Sequence, residues 1–266
     1  MDRVWTLLQA IRERRPRVHS ITNLVAINSS ANMLLALGAS PAMAHSSDEV
    51  EDFVAHSQAL VINIGTLYSE QIAACKLAVA RAQQVGVPWA LDPVGAGAAP
   101  YRRAAANALA QRGPQVIRGN ASEILALVPQ SGADLGLKGG VDSLHLSETV
   151  LELARKLAED TQAVIAVTGA VDYVTDGMRM VAIQNGHPLM ARVTGLGCAA
   201  TAVIGAFLAV EPDTLTATVA ALAVFGVAGE IAAEKAKGPG SLQVELLDAL
   251  YNLDAAALSA RARIGD

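Results

Sequence analysis

Short apolar runs rich in Val, Ile and Leu alternate along this chain with longer, alanine-rich stretches of helical periodicity. The runs at 17–22, 59–64, 87–92, 115–118 and 163–168 predict strands. Between them, 28–37, 69–85, 101–111, 121–127 and 148–159 predict helices. Strand and helix in repetition imply a parallel sheet with right-handed crossovers and helices on both faces. Residues 1–17 mix apolar positions with arginines and acids and contain no long apolar core. That predicts an amphipathic opening helix rather than a signal peptide.

The rhythm changes at 171–193, where short strand-like runs surround Asp176-Gly177 and Asn185-Gly186. Both dipeptides favour the positive φ angles of tight hairpin turns, so an antiparallel edge is expected on the parallel sheet. It ends at Thr194-Gly195-Leu196-Gly197-Cys198, after which a helical pattern runs nearly to the C-terminus. Lys235, Lys237 and the Gly238-Pro239-Gly240 turn read as a helix end with its stop signal. With neither a low-complexity linker nor a repeat of solenoid length, residues 1–266 read as a single α/β domain.

Composition narrows the class further. Of 266 residues, 52% are hydrophobic and 17% charged, which supports a large buried core and excludes disorder. The late apolar runs at 198–210 and 214–229 are broken by Glu211, Pro212 and Asp213. Each is shorter than the ~18–20 uninterrupted apolar residues of a membrane span, so both are expected as buried helices. Lys and Arg total 20 against 25 Asp and Glu, a formal charge of -5 with no general footprint for nucleic acid or anionic membrane. Two cysteines, Cys75 and Cys198, make neither a disulfide framework nor a four-cysteine zinc site. A soluble cytoplasmic protein is the expectation.

The most informative junction is 194–198. Gly195 and Gly197 let backbone amides turn toward one point where a helix begins, an arrangement that suits an anion; a plain tight turn would use the same residues. Gly195-x-Gly197-x-x-Ala200 also fits the dinucleotide fingerprint, but it does not open a first βαβ unit. Gly95-x-Gly97-x-x-Pro100 carries proline at the third small position, and no GxxxxGK[ST] stretch exists, which excludes a P-loop. Cys198 falls in the first turn of that helix, where the dipole favours a thiolate and would lower its pKa. It could serve as base or nucleophile, or simply as a small buried hydrophobe, the role assigned to Cys75.

Two acids follow predicted strands: Asp92, opening Asp92-Pro93-Val94-Gly95, and Glu123, in Asn120-Ala121-Ser122-Glu123. Open α/β sheets bind ligands at the carboxyl ends of their strands. Carboxylates with an Asn carbonyl there suit Mg²⁺, although a turn residue before Pro93 and a first-turn helix charge would look the same. Arg118, a fork-shaped cation at a strand end, points to phosphate. The five histidines show no metal-ligand spacing, and there is no GxSxG elbow.

Seven segments in order resemble the hydroxyethylthiazole kinases of the ribokinase-like superfamily. They are Ser20-Ile21-Thr22-Asn23, the 38–45 stretch Gly-Ala-Ser-Pro-Ala-Met-Ala-His, Leu91 to Ala96, Ile117 to Glu123, Gly140-Val141-Asp142-Ser143, Val167-Thr168-Gly169 and Thr194 to Cys198. The resemblance implies a three-layer α/β/α sandwich and phosphorylation of 4-methyl-5-(2-hydroxyethyl)thiazole by ATP with Mg²⁺. It implies an anion hole at Gly195, Leu196, Gly197 and Cys198, with Cys198 as base where most of the superfamily carries Asp. Asn120 and Glu123 match a metal-organising NxxE motif, and Asp92 joins them as a metal candidate. Arg118 and Thr168 match ATP contacts, while Met43, Gly195 and Asn23 are carried over as thiazole contacts. A homotrimer with active sites between subunits is implied as well. The rival readings are a related kinase of a hydroxymethylpyrimidine or other small alcohol, a nicotinamide-dependent oxidoreductase, a nucleotide-using dehydratase of a hydrated nicotinamide cofactor, and a non-catalytic sensor of thiamin precursors.

Overall fold

The computed structural model of this protein describes residues 2–128 and 148–265; the Gly140 to Ser143 segment lies outside the described residues. The chain opens with α1 (Asp2–Arg14), β1 (Arg17–Ile21), α2 (Ile27–Leu37), β2 (Ser40–Ala42), α3 (Val50–Ala55) and β3 (Ala59–Asn63). It continues through α4 (Ser69–Val85), β4 (Trp89–Asp92), α5 (Pro100–Ala110), β5 (Val116–Asn120), α6 (Ala121–Leu125), α7 (Glu148–Thr161) and β6 (Val164–Thr168). The antiparallel part is β7 (Asp172–Thr175) and β8 (Met180–Ile183). A helical tail follows: α8 (Leu196–Leu208), α9 (Thr214–Lys235), α10 (Pro239–Asn252) and α11 (Ala255–Arg261), closed by β9 (Ile264–Gly265).

One sheet of order β2-β1-β3-β4-β5-β6-β7-β8-β9 holds the molecule together. Pairings from β2 to β6 are parallel, and those from β6 to β9 antiparallel. Because strand side chains alternate, each central strand feeds two cores. Val61 joins α1, α2, α8, α9 and α10 on one face, while Leu60 and Ile62 join α3, α4, α5 and α7 on the other. All five residues of β3 are buried, as a strand covered on both sides must be. This is the three-layer α/β/α sandwich expected from the sequence. The opening helix is amphipathic as expected, burying Val4, Leu7, Leu8 and Ile11 at helical spacing.

Four features differ from the sequence reading. The short β2 and α3 had no strong periodicity, because an edge strand of three residues and a helix of six give the pattern too little length. Only Asp176-Gly177 closes a hairpin, with Gly177 at φ 94°; Gly186, at φ 126°, instead leads into a 3-10 turn at Pro188–Arg192. The chain then returns from α11 to add β9 beside β8, a pairing made by chain-end residues with no strand signature of their own. Finally, α9 extends over 22 residues, long and apolar enough by composition to cross a membrane. Of its most apolar 18-residue window, 83% is buried within the protein, so its apolar surface is used in the core.

Candidate active site

Every parallel strand from β1 to β6 except the short edge β2 ends at one rim, and the polar residues gather there. Asn23 follows β1, Asn63 ends β3, Asp92 ends β4, Asn120 ends β5 and Thr168 ends β6. Sheet register puts Asn63 beside Asp92 and Asn120 beside Thr168. Across this rim stands the N-terminus of α8. Its cap, Gly195, takes φ 83°, a left-handed turn that favours glycine. The first intrahelical bond runs from the Ala199 N–H to the Gly195 carbonyl, and no side chain caps the helix. The amides of Leu196, Gly197 and Cys198 therefore precede the helical ladder and are available to an anion.

A hydrogen-bonded chain ties the rim to that helix. Asn23 Nδ2 donates to Asn63 Oδ1 at 2.7 Å and to Cys198 Sγ at 3.2 Å. Asn63 Nδ2 donates to Asp92 Oδ2 at 2.7 Å, and Thr201 Oγ1 donates to the same oxygen at 2.8 Å. Asn63 and Thr201 escaped sequence reasoning. The signal was present: Asn63 ends its strand as Asp92 does, and Thr201 lies one helical turn beyond Cys198 on the same face.

Asp92 is fully buried, and its second oxygen, Oδ1, has no hydrogen-bond partner. Burial, helped by the Glu123 charge, pushes its pKa up to about 7, against the pull of Arg118, Thr201 and Asn63. Arg118 reaches within 4.0 Å of Asp92 Oδ2, and a Cβ built on Gly197 would fall 2.8 Å from its guanidinium. So Arg118 bridges β4 and the start of α8. Thr168 stands at the adjacent strand end, where its hydroxyl faces the Gly119 carbonyl at 3.4 Å. Met43 lies half-buried beyond β2; its carbonyl oxygen is 2.8 Å from His45 Nδ1, and the Thr22 N–H donates to His45 Nε2 at 3.1 Å. His45 thereby fastens the Met43 segment to the end of β1, a connection the sequence did not reveal.

Two expectations need correction. The Cys198 thiol is pushed up, not down: burial and the Asp92 charge outweigh the help given by Asn23, Asn63 and Arg118. The helix end alone would favour the thiolate, but a neighbouring carboxylate in a dry setting opposes it. Asn120 also differs from a simple metal ligand. Its Oδ1 accepts the Glu123 N–H at 3.0 Å and the Ser122 hydroxyl at 2.7 Å, and Glu123 Oε2 accepts the Asn120 N–H at 2.9 Å, a capping box for α6. With both lone pairs of Oδ1 used, Asn120 organises Glu123 instead. Glu123 Oε1 also accepts the Gly95 N–H at 2.9 Å, tying the loop after β4 to α6.

Among the described residues, no group of three His, Cys, Asp or Glu side chains could hold a metal unaided. Mg²⁺ does not need one, since it usually keeps several waters and takes one or two carboxylates together with substrate phosphates. The unpartnered Asp92 Oδ1 and the remaining lone pairs of Glu123 fit that donor set.

The chain is similar along its whole length to proteins of one family. The profile of the hydroxyethylthiazole kinase family matches residues 8–256. A hydroxyethylthiazole kinase of Granulibacter bethesdensis is 56% identical over 98% of this chain and 94% of its own length. The structure of the hydroxyethylthiazole kinase protein from Pyrococcus horikoshii OT3 superposes with a TM-score of 0.91 at 44% identity, over 100% of this chain and 99% of that one. A ribokinase-like superfamily protein of Enterococcus faecalis V583 shares the fold, with a TM-score of 0.64 at 15% identity over 90% of this chain and 88% of that one. Matched over 8–256 by the family profile and over nearly its whole length by such relatives, this chain belongs to the hydroxyethylthiazole kinase family.

Proposed function

We propose that this protein transfers the γ-phosphoryl group of ATP to the primary hydroxyl of 4-methyl-5-(2-hydroxyethyl)thiazole, a step of thiamin biosynthesis and salvage. The observation that carries the reading is the convergence of the α8 amides with Asp92, Arg118 and Cys198 at one strand rim. The thiazole would lie against the Met43 segment and Gly195, and the nucleotide along Arg118 and Thr168. The alcohol oxygen attacks the γ-phosphorus, the bond to the β-phosphate oxygen breaks, and ADP leaves.

Phosphoryl transfer passes through a loose transition state, so positioning and charge neutralisation carry most of the catalysis. The Leu196, Gly197 and Cys198 amides and the Arg118 guanidinium would neutralise the transferring oxygens. Asp92 and Glu123 would hold Mg²⁺ brought with ATP, which would supply further charge neutralisation at the phosphates. Cys198 would take the alcohol proton. With its thiol pushed up, the thiolate is a minor form at neutral pH, which the reaction tolerates because the proton leaves late. We assign the enzyme to the cytoplasm and to a homotrimer with active sites between subunits. The exposed apolar side chains of Leu24 and Val25, beside Asn23, support an interface close to the site.

Incubation with ATP, Mg²⁺ and the thiazole, with a hydroxymethylpyrimidine in parallel, tests the reading by mass spectrometry. A thiazole phosphate formed in step with ADP is expected. Phosphorylation of the pyrimidine alone would keep the mechanism and overturn the substrate.

A further inference from the structure

Asn23 enters the site by resemblance as a thiazole contact, yet its side chain has nothing left to offer a substrate. A carboxamide has two N–H donors and two acceptor lone pairs. Asn23 Oδ1 accepts the backbone N–H groups of Val25 and Ala26, each at 3.0 Å. Two backbone donors require an oxygen opposite them, so they fix the amide's orientation and aim Nδ2 at Asn63 Oδ1 and Cys198 Sγ. Asn63 is fixed in the same way, since its Oδ1 also accepts the Gly65 N–H at 3.0 Å. Asn23 is only 4% exposed, so water has little access to replace any of these partners.

From these contacts we infer that Asn23 is a positioning residue, whose N–H holds the Cys198 sulfur at the rim and stabilises its thiolate, and whose side chain does not bind the thiazole. The backbone turn at Val25 and Ala26 thereby sets the polarity of the chain running from Cys198 to Asp92. Two charged groups also face Cys198: Asp92 from β4 opposes the thiolate, and Arg118 from β5 favours it. The inference rests on the reading of Cys198 as the base.

The test begins on the free protein, without ATP or thiazole. Alkylation of Cys198 by iodoacetamide is followed against pH, with the modified peptide identified by mass spectrometry. Cys75, fully buried with its thiol pushed up to about 12, stays silent. Asn23→Ser keeps an acceptor for the backbone turn but is too short to reach the sulfur; Asn23→Asp keeps the shape and loses the donor. We expect the alkylation midpoint to rise by about one pH unit in both. An unchanged midpoint in folded Asn23→Ser overturns the inference, as does a shift confined to Asn23→Asp, which would reflect added charge alone. In turnover, kcat should fall on the order of tenfold with little change in the thiazole KM, and the effect should vanish in a Cys198→Ala background. A raised KM that persists in that background would mark a direct substrate contact and overturn the inference. Since alkylation involves no substrate, failure of the kinase reading would leave that result standing.

Discussion

Acidification should unfold this protein partly through one buried imidazole. His19 lies in β1 with no exposed surface, tilted against Phe53 at 5.7 Å between ring centroids. Its Nε2 lies 2.9 Å from the Ala44 carbonyl oxygen, so that nitrogen carries the proton, while Nδ1 is buried without a partner. A second proton would create a charged, unsatisfied N–H in the sheet. Burial accordingly pushes the pKa down to about 4, the Ala44 carbonyl opposing and His45 adding to the shift. Above pH 6.5 the ring is neutral in both folded and unfolded chains and stability does not depend on it. Between pH 6.5 and 4 only the unfolded chain takes up the proton, which costs ~1.4 kcal/mol per pH unit, or about 3 kcal/mol across the window. Below that the folded ring also charges and the loss stops growing. Asp92 and Asp172, raised by burial to about 7 and about 6, act with opposite sign in the same range. The measurement is therefore a difference: urea unfolding at pH 7 and 4.5 for the protein and for His19→Gln, which cannot charge. The variant should start less stable but lose about 2 kcal/mol less on acidification. Equal losses in the two proteins would refute the argument.

Other outcomes follow from the same geometry. Cys198→Ala should lower turnover while sparing substrate binding, and an unchanged kcat would remove it as base. Cys198→Asp should remain active, because a carboxylate can accept the same proton and has an ordinary pKa far below that of a thiol; a folded but inactive variant would show that sulfur itself is required. Glu123→Gln should raise the Mg²⁺ concentration needed for half-maximal rate and lower the Tm. An amide N–H₂ would have to face the Gly95 or Asn120 N–H, a mismatch worth ~1–3 kcal/mol. An unmoved Mg²⁺ titration would defeat the metal assignment. Gly205→Ala should cost ~1–3 kcal/mol by overpacking, since its Cβ would fall 2.5 Å from Val61 Cγ2 and 3.1 Å from Val18 Cγ1. Val61→Ala should recover part of that loss in thermal unfolding.

The parallel core was legible because its signals are local. Runs such as 164–167 are apolar throughout only where a strand is covered on both faces, and Gly38 and Gly86 end α2 and α4 with positive φ. The candidate site was legible as a set of strand-end residues, since Asp92, Arg118 and the 195–198 turn each carried a recognisable chemistry. Its wiring was not. Asn63 Nδ2 meets Asp92 because β3 and β4 lie side by side, and Thr201 meets the same oxygen across 109 positions of sequence. Nothing in a run of residues announces such a distant partner.

Periodicity, turn residues and the ordered motifs thus determined the layer architecture, the family and the set of candidate site residues, because each depends on neighbours within a few positions. Tertiary structure decided what the groups do there. It raised the Cys198 thiol that a helix end alone would lower, because burial and Asp92 reach it through space. It turned Asn120 from a metal ligand into the brace of Glu123, and it spent the whole carboxamide of Asn23 on the protein itself. Hydrogen-bond saturation and desolvation are properties of what surrounds an atom, and the fold alone supplies those surroundings.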